Sequence, residues 1–171
     1  MNKKSTPKKK KAVTKDVQLY TLDVFLISGP VDEKFIKRNP QISRTIEIRG
    51  DQTLKDFHAI IFDAFNREEE HMYEFQVGGK GPNDPDARRY VLSEESEEFL
   101  GVPKAAGLVS DTTISSLNLK VGESFGYWFD FGDDWWHQVT VVSITDEIKG
   151  RKYPKVIKKI GKSPPQYPDF D

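Results

Sequence analysis

Apolar residues recur at every second position in several stretches of this chain and at helical spacing in one. Period two marks a strand with one buried face, and a period near 3.6 marks an amphipathic helix. Gln18 to Ile27 alternates, with Tyr20, Leu22, Val24 and Leu26 on one side, and Ser28-Gly29-Pro30 ends it. Residues 31–41 read as a connection. Ile42 to Arg49 alternates again, with Ile42, Ile46 and Ile48 inward, and Gly50-Asp51 turns the chain. Thr53 opens the clearest helix. Thr53 and Asp56 have capping-box spacing, and Leu54, Phe57, Ile61, Ala64 and Phe65 share one face. His71 to Val77 is a third strand, with Tyr73, Phe75 and Val77 inward. Arg88 to Leu92 reads as a short strand, while Ser93 to Phe99 and Asp111 to Leu117 read as short helical turns. In the basic stretch from Asp146 to Lys162, Val156, Ile157 and Ile160 fit helical spacing.

The densest pattern lies between Glu123 and Val142, where all three tryptophans and three phenylalanines sit. Two alternating runs flank Gly132-Asp133-Asp134, which predicts a β-hairpin. A two-residue turn would put Asp130 and His137 on one face. A three-residue loop changes the parity. It makes Phe125, Tyr127, Phe129, Phe131, Trp135, His137, Val139 and Val141 one apolar face and leaves Trp128, Asp130, Trp136 and Gln138 on the other. A one-residue slip exchanges the faces, and burial favours the second register, in which His137 points to the core.

Taken together, the elements predict one α+β domain: a mainly antiparallel sheet packed on one long helix, with a C-terminal aromatic β-hairpin. A β-grasp-like arrangement of the first part fits the same order. The expected organisation is a disordered Lys-rich tail over 1–15, the domain over 16–162 and a Pro-rich tail over 163–171.

Composition narrows the chemistry. There is no cysteine, which excludes disulfides, thiolate nucleophiles and Cys-ligated zinc and fits a cytoplasmic protein. No apolar run approaches the roughly 18 residues of a membrane span, so no membrane partner is expected. Charge is segregated: residues 1–15 hold seven lysines and 149–171 hold seven Lys/Arg, while 16–148 holds 12 basic and 25 acidic residues, a net charge of −13. The plain reading of the ends is solvated tails. The functional reading is salt-sensitive phosphate binding to nucleic acid, through Lys8, Lys9, Lys10 and Lys11 and through residues 149–162.

Several motifs resemble a known family. Tyr20-Thr-Leu-Asp-Val, Leu54-Lys-Asp-Phe-His-Ala-Ile-Ile, His71-Met-Tyr-Glu-Phe and Tyr127-Trp-Phe-Asp-Phe-Gly-Asp-Asp-Trp-Trp-His are similar to stretches of the plasmid pRiA4b ORF-3-like family, with Gly161-Lys-Ser-Pro-Pro as a late echo. The resemblance implies an α+β fold and no established activity. It also shows departures. Gln41-Ile-Ser-Arg44 keeps one arginine of a Trp-Arg-Arg-like stretch. Ser163 stands where family members often carry Cys, and Gln166-Tyr167 where they carry Glu-Asp. Some members carry a transposon-resolvase label. This chain lacks a His-x-x-Arg pair and has no arginine within residues 1–30, so neither recombinase chemistry is supported.

The best metal or enzyme constellation is Asp130, Asp133, Asp134 and His137, with His71 and Glu74 nearby in the pattern. Imidazole with carboxylates suits zinc or manganese. The plainer reading makes the aspartates turn formers. Trp128, Trp136 and Gln138 form the candidate partner-binding face, because tryptophan is enriched at hot spots. A C-terminal segment covering them is the alternative. A serine in a Gly-x-Ser-x-Gly elbow is missing. The expectation is a non-catalytic binding or scaffolding module with a protein partner and no cofactor. A divalent-metal domain at the hairpin tip and an accessory nucleic-acid-associated protein are the alternatives.

Overall fold

The alternating stretches become strands: β1 (Gln18–Ser28), β2 (Ser43–Arg49), β3 (Tyr73–Val77), β4 (Arg88–Val91), β5 (Gly107–Leu108), β6 (Ser124–Phe129), β7 (Trp135–Asp146) and β8 (Lys155–Ile160). The structure, a computed structural model, describes residues 16–93 and 104–169. Lys8 to Lys11 and almost all of the expected turn at Ser93 to Phe99 lie outside the described residues. The strands form one sheet in the order β5-β4-β3-β6-β7-β1-β2-β8. Neighbours are antiparallel except β4 and β5, which are parallel.

Among the described residues two short α-helices accompany the sheet, α1 (Glu33–Arg38) and α2 (Leu54–Ala64). The capping box forms as the spacing requires: Thr53 N donates to Asp56 Oδ2 at 2.8 Å and Asp56 N to Thr53 Oγ1 at 3.2 Å. After Phe65 the chain leaves helical geometry at Asn66, whose φ is +52°. Leu54, Phe57, His58, Ile61 and Ala64 of α2 are buried. They join a core with Leu22, Val24, Ile46, Phe75, Phe125, Tyr127 and Val139 from the facing side of the sheet. None of the helices among the described residues is long and apolar enough to cross a membrane.

This architecture corrects the expected one. The molecule is a wide mixed sheet of eight strands with helices of six and 11 residues, not a mainly antiparallel sheet packed on one long helix. Two elements account for the difference. The basic stretch with helical spacing is the edge strand β8, with Val156 opposite Ile46 of β2. Three apolar residues at positions 156, 157 and 160 suit either period, and pairing with a formed strand decides between them. At the other edge β5 adds a parallel pair. The β-grasp-like arrangement fails too, because β1 is antiparallel to both of its neighbours, β7 and β2. The aromatic hairpin, β6 and β7, is central in the sheet rather than a C-terminal appendage. Residues 31–41, read as a connection, contain α1, capped by Asp32 Oδ1 accepting from Phe35 N at 2.8 Å.

Arg44 ties the far edge together from a nearly solvent-free position. Its Nε donates to Ala64 O at 2.8 Å, its Nη1 to Ser43 O at 2.7 Å, Ile160 O at 2.9 Å and Gly161 O at 3.2 Å, and its Nη2 to Ser163 Oγ at 2.7 Å. One guanidinium thus holds β2, the end of α2 and the chain after β8. From there the C-terminal segment runs on the helix side. Gln166 is buried, and its Oε1 accepts from Glu68 N at 2.6 Å and Glu69 N at 3.0 Å.

Candidate functional site

The hairpin pairs Phe129 with Trp135, Tyr127 with His137, and Trp128 with Trp136. The faces are those of the three-residue-loop register, but the loop has two more residues, 130–134, and Phe131 leaves the core face. Asp130 and Asp134 take φ of +57° and +54°. Asp134 N donates to Asp130 O at 2.7 Å. Asp130 Oδ1 accepts from Gly132 N at 3.1 Å and Asp133 N at 3.3 Å. Aspartate tolerates left-handed backbone because its short carboxylate bonds its own turn.

This turn separates the proposed metal ligands. Asp130 Oδ2 faces His71 Nε2 at 3.4 Å, on the helix side. Asp134 Oδ1 accepts from Trp128 Nε1 at 2.9 Å on the opposite side. His137 is buried, with its ring 5.0 Å from that of Phe65. Burial, reinforced by Arg67, holds its pKa down at about 3. Glu74 lies under Arg89, whose Nη2 donates to it at 2.6 Å. Among the described residues no three His, Cys, Asp or Glu side chains are grouped to hold a metal ion.

A polar network that the residue pattern did not reveal crosses the helix side. Tyr127 Oη donates to His58 Nδ1 at 2.8 Å, and His58 Nε2 donates to Glu70 Oε2 at 2.9 Å. The imidazole stacks on Tyr73 with centroids 3.6 Å apart, and burial lowers its pKa. Both ring nitrogens are thereby satisfied with His58 neutral. Nearby, His71 Nε2 meets Tyr167 Oη at 2.7 Å, and Tyr167 Oη donates to Glu69 Oε2 at 2.9 Å. Arg67 lies over Trp135, its guanidinium carbon 3.7 Å from the ring centroid, and burial lowers its pKa to about 10. Nothing in a loop arginine or a tail glutamine marks such roles, because their partners are distant in sequence.

The concave site lies on the opposite face. Trp128 stacks on Trp136 at 4.7 Å with ring planes 10° apart, and Phe131 leans against Trp128 at 4.1 Å with planes tilted by 31°. Trp136 is buried to 8% exposure, Trp128 is half-buried and Gln138 is exposed. The C-terminal segment, the alternative cover for these rings, docks instead beside Glu68 and Glu69. Beside Trp136 opens a small cleft of about 80 Å³, lined by Trp136, Gln138, Ile27, Ser124, Gly126 and the loop Gly79–Pro82 among others. The floor is low because Gly126, which pairs with Gln76 on one side and Gln138 on the other, has no side chain. The loop is fixed from below: Asn83 N donates to Gln76 Oε1 at 2.8 Å, Gln76 Nε2 donates to Glu74 Oε1 at 2.6 Å, and Lys80 N donates to Asp84 Oδ2 at 2.7 Å. The cleft therefore has one aromatic wall, one glycine-rich wall, and amide and hydroxyl groups between them.

The same sheet occurs elsewhere. A crystal structure of a protein of unknown function from Methanosarcina mazei Go1 matches with a TM-score of 0.63 at 19% identity, covering 88% of this chain and 74% of that one. That likeness concerns the fold. The uncharacterized protein y4hQ of Sinorhizobium fredii is 26% identical over 127 residues, 74% of this chain; the chain spans 59% of that relative's length. A family model described as plasmid pRiA4b ORF-3-like protein matches residues 34–167, a range that takes in the hairpin, most of the cleft and Gln166 of the docked C-terminal segment. The chain belongs to the plasmid pRiA4b ORF-3-like family, whose function is uncharacterised.

Proposed function

We propose that this chain is a non-catalytic binding module whose ligand seats in the cleft between Trp136 and the Gly79–Pro82 loop. One observation carries the reading: the stacked pair Trp128–Trp136, with Phe131 tilted against Trp128, stands beside a gap over Gly126. Ligand pockets occupy about 300–1,000 Å³ and pair apolar walls with a few convergent polar groups. The cleft pairs an aromatic wall with amide and hydroxyl groups in that way, but at about 80 Å³ it is smaller than such pockets and holds only a small group. Its size favours a small ligand over the protein partner expected from exposed tryptophans, since Trp136 is nearly buried.

Gly126→Val tests the reading without removing a structural ring. A Cβ there would meet only Gln76, with Cβ atoms 3.7 Å apart, an ordinary contact. The fold should hold while the cleft fills. The assay is chemical-shift mapping with a panel of planar aromatic heterocycles. Shifts around Trp136, Gln138 and Lys80 that vanish in Gly126→Val support the reading. Shifts elsewhere, or shifts that survive the substitution, refute it.

A second reading rests on a separate observation. Lys149, Arg151, Lys152, Lys155, Lys158, Lys159 and Lys162 enter no ion pair among the described residues. They surround the β8 edge, and such a strip suits the phosphates of nucleic acid. Reversing Lys155, Lys158 and Lys159 to Glu should then weaken nucleic-acid binding and flatten its salt dependence. Unchanged binding would remove this reading.

A further inference from the structure

We infer that the hollow between the end of β1 and α1 binds a small uncharged alcohol or phenol, its apolar body against the isoleucines and its hydroxyl at Gln41. The hollow lies beyond the cleft proposed above. Ile27 is a wall of both, but the inference does not rest on that reading. Three features converge. The first is space. The hollow measures about 250 Å³, and Phe25, Ile27, Val31, Ile36, Pro40 and Ile42 line it among others. An apolar cavity of roughly 150 Å³ takes up benzene, so this one admits a ring or a short chain with a substituent. Ile27 and Ile36 are 52% and 50% exposed. A ligand seated there removes their apolar surface from water, which is favourable.

The second feature is that the hollow is held open. Leu26 N donates to Ile42 O at 2.9 Å, and Val31 N to Gly29 O at 2.8 Å. Asn39 Nδ2 donates to Phe35 O at 3.1 Å, and Asn39 Oδ1 accepts from Lys162 N at 2.9 Å. Phe35 packs against the core. The segment carrying α1 is thus pinned before the helix, along it and after it. None of the helix's residues is buried, and Ile36 stands over the hollow instead of closing it.

The third feature is the chemistry of the walls. Among the described residues no ionisable side chain lines the hollow. The charges of α1 and its cap are engaged elsewhere. Lys37 Nζ lies 3.9 Å from Glu33 Oε2, Arg38 Nε donates to Lys34 O at 3.3 Å, and Asp32 Oδ1 accepts from Phe35 N at 2.8 Å. A charged ligand would lose water there without gaining a counter-ion, which is costly. A hydroxyl is accommodated. Gln41 Nε2 donates to Ser43 Oγ at 3.2 Å, so the amide is oriented and its Oε1 is left to accept.

The experiment is a chemical-shift titration of the full chain. The probes are hexan-1-ol, phenol, benzene, hexanoate and hexylammonium. Hexanol or phenol should move the methyl signals of Ile27, Val31, Ile36 and Ile42 saturably, with a Kd below about 1 mM, a modest efficiency for about seven heavy atoms. Hexanoate and hexylammonium should bind at least tenfold more weakly than hexanol, and benzene more weakly than phenol. Ile36→Glu brings a charge to the wall at a half-exposed helix position. It should keep the melting temperature and weaken binding at least tenfold, while Ile36→Leu should bind nearly as the parent does. Should Ile36→Glu melt early, Ser28→Phe is the second variant: it fills the hollow from an exposed position and should abolish binding. Charged probes that match hexanol, or binding that survives these variants, would overturn the inference. Benzene binding as tightly as phenol overturns the hydroxyl assignment. Shifts confined to the surroundings of Trp136 and Gln138 overturn the inference and leave the cleft reading standing.

Discussion

Replacing Arg44 with alanine tests how the far edge of the sheet is held. Arg44 is 3% exposed and donates five hydrogen bonds, to carbonyls at 43, 64, 160 and 161 and to the Ser163 hydroxyl. A hydrogen bond to a charged group contributes about 1.5–3 kcal/mol. Five of them at face value, about 7.5–15 kcal/mol, would match the roughly 5–15 kcal/mol of a whole domain, so simple addition fails. The desolvated guanidinium offsets much of the gain, and carbonyls at the sheet edge regain water when it is removed. Breaking a satisfied buried charge network costs about 3–5 kcal/mol, and that is the expected loss. At about 2–4 °C per kcal/mol for a chain of this size, Tm should fall by roughly 6–20 °C. Urea titration gives the free energy. Amide exchange gives the location: protection over residues 155–160 should fall well below that of β1. Arg44→Lys keeps the charge but not the fork, so it should recover only part of the loss. A loss under about 1 kcal/mol, or an equal loss of protection in β1 and β8, would refute the clamp.

Other consequences can be checked by melting and titration. In Gly29→Ala the new Cβ would lie 2.7 Å from Trp135 Cζ3. Arg67 presses on the same ring, so overpacking should cost about 1–3 kcal/mol; an unchanged Tm would show that the ring can move. Tyr127→Phe leaves His58 Nδ1 without its donor in the interior, an expected loss of about 1–3 kcal/mol by urea titration. His137 has a folded pKa of about 3 against roughly 6.5 in the unfolded chain. The unfolded state binds its proton first as pH falls. This contribution is therefore complete above about pH 6.5 and is lost toward pH 3, at up to about 1.4 kcal/mol per pH unit. Unfolding free energies at pH 7, 6, 5 and 4 should show a shallower acid slope in His137→Gln, and parallel slopes would contradict a neutral buried imidazole.

Much of the local structure was legible in the residues. Alternation placed β1, β2, β3 and the hairpin, because a strand's two faces are written at period two. Thr53 and Asp56 started α2 because a capping box needs only three residues of separation. The hairpin's faces followed from burial, since seven apolar side chains on one parity outweigh any polar alternative. Loop length was not legible: the two registers that differ by two residues share a parity, and only the bonding of Asp130 and Asp134 within the turn separates them. The fate of residues 155–160 was not legible either. Val156, Ile157 and Ile160 suit a helix or a strand, and the open edge of β2 together with the Arg44 clamp decides for the strand. The cleft followed the same division. Its parts were visible as Trp136, Gln138 and a glycine-rich loop whose one lysine, Lys80, lies 56 residues before Trp136. Their meeting depends on β3 and β6 being neighbours. Periodicity and capping act over a few residues and are therefore carried by the sequence itself. Strand order, buried hydrogen-bond partners and the walls of a cleft join residues far apart, and only the assembled sheet brings those together.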